Sequence, residues 1–308
     1  IEIAVDAIKN GAYEFIEKPF SSERLLLTIK RSIETSLFKI ENKSLKQKNI
    51  DDYKFIGDSN TIIKVKQLID KVAPTSSRVI IYGDSGTGKD LVAKEIHKNS
   101  KYFDGNFIIV NSALMEPDGI EEELFGLEEN SRIIKQGFFE QANNGTLFID
   151  EIGDMPIQTQ SKILRVLTDS SFYRVGSNKP VNVNARLLCS STENLEKLVE
   201  NGNFRMDLFH RLNVVSITLP KLSDRTQDID ELIEYFSKIY STNANSNTSD
   251  LRDYIKTNYM NYDWPGNVRE LRNIVERYCI IGGKIIENKE QLDSGFNSKN
   301  VISMPLKN

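Results

Sequence analysis

Short apolar runs alternate with amphipathic stretches from Phe55 to Pro220. The runs are predicted to be strands, and apolar residues at helical spacing lie between them. The predicted strands are Val79–Tyr82, Phe107–Asn111, Gly145–Ile149, Ala185–Ser191 and Val214–Thr218. This alternation is typical of an α/β fold in which helices cover both faces of a parallel sheet.

After Leu219-Pro220 the pattern becomes helical. Apolar residues at helical spacing predict two amphipathic helices, the first through Ile229, Leu232, Ile233, Phe236 and Ile239, and the second through Val268, Leu271, Ile274, Val275 and Tyr278. The polar stretch Ser241–Ser249 is predicted to be a loop in this helical part. Lys284–Asn308 has weak patterning and is interpreted as a tail.

The N-terminal residues 1–36 read as helix, strand and helix. Gly11 ends the first helix, Tyr13–Ile16 is a short strand, and Leu25, Leu26, Ile29 and Ile33 line the second helix. One strand and two helices cannot close a core. We therefore interpret this segment as the end of a domain whose first part precedes Ile1. Residues 37–54 are predicted to be a helical linker, either a solvated surface helix or a dimerising coil.

Composition narrows the possible classes of protein. The chain has 308 residues, 39% hydrophobic and 27% charged, which fits about two globular domains. No apolar run is long enough to span a membrane and no signal peptide opens the chain, so we expect a cytoplasmic protein. Two cysteines and two histidines, none closely spaced, argue against a disulfide framework or zinc site. A net charge of −4 gives no global attraction to nucleic acid.

A glycine-rich turn joins the first predicted strand to a predicted helix. It comprises Gly83, Asp84, Ser85, Gly86, Thr87, Gly88, Lys89 and Asp90. The glycines let backbone N–H groups converge on a phosphate, the helix N-terminus adds positive potential, and Lys89 neutralises phosphate charge. A simple tight turn is the alternative. With the lysine in register between strand and helix, the pattern predicts nucleotide binding, although Asp90 replaces the Ser/Thr that usually binds magnesium.

Two carboxylates, Asp150 and Glu151, follow the third predicted strand. The carboxyl ends of parallel strands are where ligands bind in this architecture. On its own the pair fits a solvated acidic turn equally well. Downstream of a phosphate-binding loop, it predicts Asp150 as the Mg²⁺ ligand and Glu151 as the residue that orients and polarises the attacking water.

Phe55–Ile281 resembles the AAA+ domain of sigma-54-dependent transcription activators, NtrC-type response regulators, and is most similar to their NtrX branch. The matching motifs are Gly83–Ala93 (GESGTGKELVA in the family), Asn144–Ile152 (GGTLFLDEI), Phe204–Val214 (FR-x-DL-x-x-RLNV), Leu219–Ile229 (LPPLR-x-R-x-x-DI) and Trp264–Leu271 (WPGNVREL). Residues 1–36 resemble the end of a receiver (flavodoxin-like) domain, including its Lys-Pro turn at Lys18-Pro19. The resemblance implies an AAA+ α/β subdomain over 55–220, a helical lid over 221–283, and ATP as the ligand.

The resemblance also implies site residues. Arg205 and Arg211 match arginine fingers that reach the γ-phosphate on a neighbouring subunit, although either could simply pair with Asp207. Asn111 matches an asparagine that contacts the catalytic glutamate; a buried asparagine satisfied by backbone is the alternative.

In the lid, Arg269 matches a phosphate-sensing arginine. With Asn267 as N-cap, Arg269 lies in the first helical turn, where the helix dipole disfavours a cation unless a phosphate lies in front of it. A surface arginine with no special role is the alternative. Ser191 and Thr192 occupy the positions of the family's sensor pair without the usual Thr-Asn.

One family motif is missing. Sigma-54 activators carry GAFTGA after ELFG, but here Glu123–Gly126 is followed by Leu127–Phe138, which lacks that motif and is shorter. Contacts of this kind depend on few anchor residues, so the sequence favours a nucleotide-responsive regulator over an ATPase that remodels sigma-54 holoenzyme. An AAA+ remodelling ATPase with a different protein target is the alternative.

The family further implies a ring, hexameric or heptameric, with ATP hydrolysis at subunit interfaces, and a cognate sensor kinase. RNA polymerase sigma-54 is a candidate partner, although the missing GAFTGA motif argues against it. The tail is too short for a helix-turn-helix domain, so we expect DNA contact only through a domain outside this chain, and no membrane partner.

Overall fold

The computed structural model describes residues 54–117, 119–240, 248–259 and 262–281, together with four positions of the N-terminal segment, Leu25, Thr28, Ile29 and Ile33. These four positions are helical, in agreement with the second predicted N-terminal helix. The other predictions for residues 1–53, and the predicted tail at 284–308, lie outside the described residues. The chain divides between Lys54 and Phe55 into two units, of which the second is described below.

The described residues of the second unit include nine strands. They are β1 (Val79–Tyr82), β2 (Phe107–Asn111), β3 (Gly126–Glu129), β4 (Arg132–Gln136), β5 (Thr146–Asp150), β6 (Ser171–Tyr173), β7 (Pro180–Asn182), β8 (Arg186–Ser191) and β9 (Val215–Thr218). Five of them form a parallel sheet in the order β2-β5-β8-β1-β9. All five predicted strands are confirmed, with their ends shifted by at most one residue.

The described helices are α1 (Asn60–Val72), α2 (Lys89–Lys98), α3 (Ile120–Phe125), α4 (Phe138–Gln141), α5 (Ile157–Asp169), α6 (Leu195–Glu200), α7 (Met206–Leu212), α8 (Ile229–Tyr240), α9 (Thr248–Asn258) and α10 (Asn267–Ile281). None of these helices is both long and apolar enough to cross a membrane. Short 3₁₀ turns occupy Ser112–Leu114, Ile152–Asp154 and Leu222–Asp228.

Two hydrophobic cores lie on opposite faces of the parallel sheet. Along β1, Ile80 belongs to one core, whereas Val79 and Ile81 belong to the other. Along β5, Leu147 belongs to the first core and Phe148 to the second. Successive side chains of a strand point to opposite faces, so these continuously apolar strands are buried on both sides, as expected for a parallel sheet.

The helical part contains α8, α9 and α10. The two amphipathic helices predicted there are confirmed as α8 and α10. The loop prediction for Ser241–Ser249 was wrong at its end, because α9 begins at Thr248. This helix buries Leu251 and Ile255, an i, i+4 pair too small to stand out in a polar stretch.

The segment that replaces the family's GAFTGA loop is a β-hairpin. Strands β3 and β4 pair antiparallel, and the two residues between them, Asn130 and Ser131, both have positive φ, 49° and 63°. Positive φ at both central residues is typical of the tight turns that close two-residue hairpins. Ile133 and Ile134 on β4 are exposed.

Candidate active site

The glycine-rich turn lies between the carboxyl end of β1 and the start of α2. Gly86 and Gly88 have φ values of 80° and 101°, a left-handed region that side chains disfavour. The Thr87 hydroxyl donates to the Asp84 carbonyl at 2.7 Å and closes the turn. Lys89 is the first residue of α2, so the turn leads directly into a helix N-terminus, where an anion is stabilised.

The Lys89 ammonium is buried, with 7% of the side chain exposed, and has three oxygen partners. It donates to the Gly83 carbonyl at 2.8 Å and to the Thr192 hydroxyl at 2.9 Å. It also forms an ion pair with Glu151 Oε1 at 2.9 Å. The structure therefore brings together the lysine turn and the acidic pair that the sequence placed at one edge of the sheet.

Glu151 is held in one orientation by its neighbours. Thr192 donates to its carboxylate from both the backbone N–H, at 2.8 Å, and the hydroxyl, at 2.6 Å. Partial burial raises the pKa of Glu151, but the hydrogen bonds from Thr192 and the charge and hydrogen bond of Lys89 outweigh it, so the net pKa is lowered. The residue has a left-handed backbone, with φ 52°, which is uncommon outside glycine and frequent at functional sites.

Asp150 ends β5 and is held by two side chains. The Ser190 hydroxyl donates to Oδ1, and the Asn111 amide donates to Oδ2 at 3.1 Å. The expected contact between Asn111 and Glu151 is therefore wrong for this structure. The parallel register pairs Asn111 with Asp150, whereas Glu151 lies beyond the end of β5 and is bound by Thr192 and Lys89.

Two further residues belong to the site: Ser190, which carried no sequence signal, and Thr192, which the sequence placed at the family's sensor pair without predicting its contacts to Glu151 and Lys89. Ser190 is fully buried; besides donating to Asp150, its hydroxyl accepts from the backbone N–H of Glu151 at 3.0 Å. A signal was available in the sheet register, because Ile149 pairs with Cys189 and the next residues along both strands are therefore neighbours. Thr192 stands where the family has asparagine, which obscured its contacts.

The start of α10 is bound to the glycine-rich turn. The Gly86 carbonyl accepts from the backbone N–H groups of Val268 and Arg269, at 3.0 and 3.3 Å. Main-chain N–H groups of a first helical turn need such acceptors, so the turn itself caps this helix. The predicted N-cap, Asn267, is instead the first residue of α10; its side chain accepts from Leu222 N–H and donates to the Ser85 carbonyl.

Arg269 is near the turn, as predicted, and donates to the Ser85 hydroxyl at 3.1 Å. The start of the lid adds another contact, because the buried Arg225 donates to the Thr87 carbonyl at 3.1 Å. Asp84 pairs with Lys221 at 3.0 Å. Asp90 is exposed in the first turn of α2, where its charge is favourable.

Arg205 immediately precedes α7, and Arg211 lies within it. Arg205 forms a two-bond pair with Asp207, at 3.0 and 2.7 Å, so the local ion pair is present. Arg211 donates to the Leu167 carbonyl at 3.1 Å and is exposed. Neither is hydrogen-bonded to Lys89, Asp150 or Glu151 within the described chain.

The side chains of the site fit Mg²⁺ only as part of a complex with a nucleotide. Among the described residues, no group of three or more acidic, histidine or cysteine side chains is arranged to hold a metal. Mg²⁺ in nucleotide sites is bound by one or two carboxylates together with phosphate oxygens and water. Asp150, at the sheet edge next to the turn, is a carboxylate suited to that arrangement.

Known proteins match most of the chain. The sigma-54 interaction domain family matches residues 55–218, and the AAA+ ATPase lid domain family matches residues 223–303. The NtrX protein of Azorhizobium caulinodans is 43% identical over 92% of this chain, and an NtrX-like putative response regulator of Rickettsia typhi is 38% identical over the full chain. The chain spans 62% and 68% of their lengths. A crystal structure of Brucella abortus NtrX in complex with ATP is 42% identical, with a TM-score of 0.71, over 94% of this chain and 63% of that one.

Proposed function

The chain belongs to the sigma-54 interaction domain family as an NtrX-like response regulator, and from this premise we propose that its second unit binds and hydrolyses ATP to regulate transcription. The observation that carries the proposal is the 2.9 Å contact between Lys89 and Glu151 at the mouth of the glycine-rich turn. The structure of the Brucella relative with ATP supports the choice of nucleotide. Transcription regulation implies a location in the cytoplasm.

The proposed roles follow from the contacts. Backbone N–H groups of Gly83–Asp90 cradle the phosphates, and Lys89 neutralises their charge. Lys89 must then exchange Glu151 for a phosphate oxygen, which frees the Glu151 carboxylate to accept a hydrogen bond from the attacking water. Asp150 would hold a Mg²⁺ ion, which would supply charge neutralisation at the phosphates, and Asn111 orients Asp150. Arg269, at the turn through Ser85, binds a phosphate from the lid side.

The remaining roles require assembly. We propose a ring, hexameric or heptameric as in the family, in which Arg211 and Arg205 approach the γ-phosphate held by the neighbouring subunit. Both residues are hydrogen-bonded away from their own subunit's turn, which supports action between subunits. The proposed domain limits are a receiver remnant at 1–36, a linker at 37–54, the α/β subdomain at 55–220, the lid at 221–283 and a tail at 284–308. A sensor kinase is the proposed partner of the receiver.

The hairpin bears on the target of the ATPase. Strands β3 and β4 are joined by only two residues, so the hairpin lacks the long loop with GAFTGA at its tip. This supports regulation without remodelling of sigma-54. The exposed Ile133 and Ile134 favour a second candidate, contact with another protein target. Pull-down of sigma-54 in the presence of a transition-state analogue of ATP hydrolysis tests whether sigma-54 is the target: we expect no capture, and capture would restore sigma-54 as the target.

Substitution of Lys89 and Glu151 tests the proposal directly. Lys89→Ala removes charged hydrogen bonds to the phosphates, so we expect ATP to bind about 100-fold more weakly in calorimetric titration. Glu151→Gln frees Lys89 from its ion pair, so we expect binding at least as tight as in the unmodified protein, with hydrolysis slowed by about 10²-fold or more. Tight ATP binding by Lys89→Ala would refute the site, and unchanged turnover by Glu151→Gln would reassign the base.

The arginine between subunits has its own test. For Arg211→Ala we expect unchanged ATP affinity and a loss of hydrolysis of about 10³-fold, because transition-state charge is left without its counterpart. Turnover per subunit of the unmodified protein should rise steeply with protein concentration. Arg165→Ala, an exposed arginine on α5, is the matched control and should behave as the unmodified protein. Hydrolysis independent of concentration would contradict the role in assembly.

A further inference from the structure

A cavity of about 220 Å³ lies at the edge of the parallel sheet opposite the glycine-rich turn. Arg78 immediately precedes β1, whereas the turn follows its other end, and Arg186 is the first residue of β8. The polar side chains that line the cavity are Arg78, Arg186, Tyr102, Ser76, Ser170 and Asn184. None of these residues takes part in the proposed ATP site.

Positive charge at this cavity is not balanced by acidic side chains. Arg186 is 2% exposed and donates only to the main-chain carbonyls of Ser77, Ala73 and Val72. Arg78 and Arg211 form no ion pair with any described residue. Arg211 in turn donates to the carbonyl of Leu167, another residue of the cavity wall. Buried or half-buried charges in proteins are normally paired, but the buried Arg186 and the half-buried Arg78 have no acidic partner among the described residues.

Electrostatic effects agree with the geometry. Burial, and then the charge of Arg211, lower the pKa of Arg78. Burial lowers the pKa of Arg186, and the only opposing influence is Tyr102. Both guanidinium groups stay charged at neutral pH. An anion bound between Arg78 and Arg211 would therefore relieve their repulsion as well as form hydrogen bonds.

The cavity also offers neutral hydrogen-bond donors. The hydroxyls of Ser76, Ser170 and Tyr102 form no hydrogen bond with another residue in the described ranges, so they are free to donate to a ligand. The Asn184 amide already donates to Asn144. Guanidinium groups combined with hydroxyls are the usual donors to tetrahedral oxyanions.

We propose that this cavity binds an oxyanion of the phosphate class, held by Arg78 with Arg211 at its rim. Its volume is below the roughly 300–1,000 Å³ of pockets for drug-sized ligands, so the ligand is inorganic phosphate or a single phosphoryl group. The same chemistry has two sources: a free anion, or a nucleotide phosphate presented by a second copy of this chain. The second source rests on the proposed function, because it requires an ATP-bound neighbour.

Titration with inorganic phosphate tests whether the cavity binds a free anion. Phosphate is titrated by calorimetry into dilute, monomeric protein saturated with ADP, which occupies the turn at Lys89. We expect binding that Arg78→Gln weakens about tenfold or more, Arg78→Lys restores in part, and Arg165→Gln leaves unchanged. Lys89→Ala without ADP should retain phosphate binding; its loss there would place the anion at the glycine-rich turn and overturn the proposal.

A second measurement identifies the other source. If dilute protein binds no phosphate, the proposal requires that Arg78→Gln lower ATP turnover about tenfold or more at assembling concentrations while ATP affinity stays unchanged. ATP affinity is measured separately, so failure of the ATP site itself would show as lost ATP binding by the unmodified protein. Circular dichroism of Arg78→Gln serves as the control that this variant is folded. If Arg78→Gln changes neither phosphate binding nor turnover, the cavity has no such ligand.

Discussion

The contact between Lys89 and Glu151 joins the glycine-rich turn to the acidic pair at the end of β5. Without a nucleotide the ammonium needs a counterion, and Glu151 supplies it at 2.9 Å, with Thr192 bridging both. The lysine and the acidic pair were predictable, because each follows a strand and belongs to a long motif. Ser190 and the contacts of Thr192 were not predictable, because serine and threonine are common at strand ends and only the register of β5 and β8 gives them a role.

The ion pair predicts how stability depends on pH. The folded-state pKa of Glu151 lies below its ordinary value of 4.5, so the stabilisation is fully present above pH about 4.5 and is lost as pH falls through the lower, folded-state pKa. Glu151→Gln cannot gain this stabilisation. In urea unfolding of the nucleotide-free protein, we expect the difference in free energy of unfolding between the two proteins to be constant from pH 7 to pH 5 and to narrow below pH about 4.5. A difference that stays constant to pH 3 would contradict the contact.

Among the elements, those with apolar runs or regularly spaced apolar residues were predicted, whereas the exposed hairpin was not. All five strands of the parallel sheet, and α8 and α10, were predicted because apolar residues form runs or repeat regularly along them. The β3–β4 hairpin was missed because β4 is exposed along its whole length and carries no alternation. Its turn, Asn130-Ser131, lacks the glycine that usually indicates such a hairpin.

The strained turn of the hairpin offers a prediction of increased stability. Ser131 has φ 63°, which costs a residue with a side chain about 1 kcal/mol relative to glycine. Ser131→Gly should therefore raise the free energy of unfolding by up to about 1 kcal/mol, and Ser131→Ala should not raise it. Urea unfolding of the three proteins decides the matter. Equal effects of glycine and alanine would contradict the turn conformation.

At the scale of the whole second unit, the α/β part and the lid meet at the glycine-rich turn. Asn267, Arg269 and Arg225 all donate from the lid to this turn. A buried carboxylate of the lid, Asp228, accepts from the backbone N–H groups of Asp58 and Ser59 at the start of α1. The sequence predicted Arg269 near this turn, but not the contacts of Asn267, Arg225 and Asp228, because their partners are backbone groups that leave no pattern in the sequence.

Asn267 tests this joint between the two parts. Its two side-chain hydrogen bonds and its φ of 49° predict that Asn267→Ala lowers the free energy of unfolding by about 2–3 kcal/mol. Asn267→Gly removes the same bonds without backbone strain, so its loss should be about 1 kcal/mol smaller. Both variants should also show a smaller rise in melting temperature on addition of ATP. Melting behaviour equal to that of the unmodified protein would mean that the lid is held elsewhere.

Gly86 and Gly266 touch backbone to backbone: a methyl group added at Gly86 would lie 2.2 Å from the Gly266 carbonyl oxygen. No compressible side chain separates the two segments, so nothing between them can absorb a displacement. We therefore expect that a shift of the turn toward a phosphate also moves the start of α10. We expect this movement to be larger at the far end of α10, at Ile281, than at its start beside the turn.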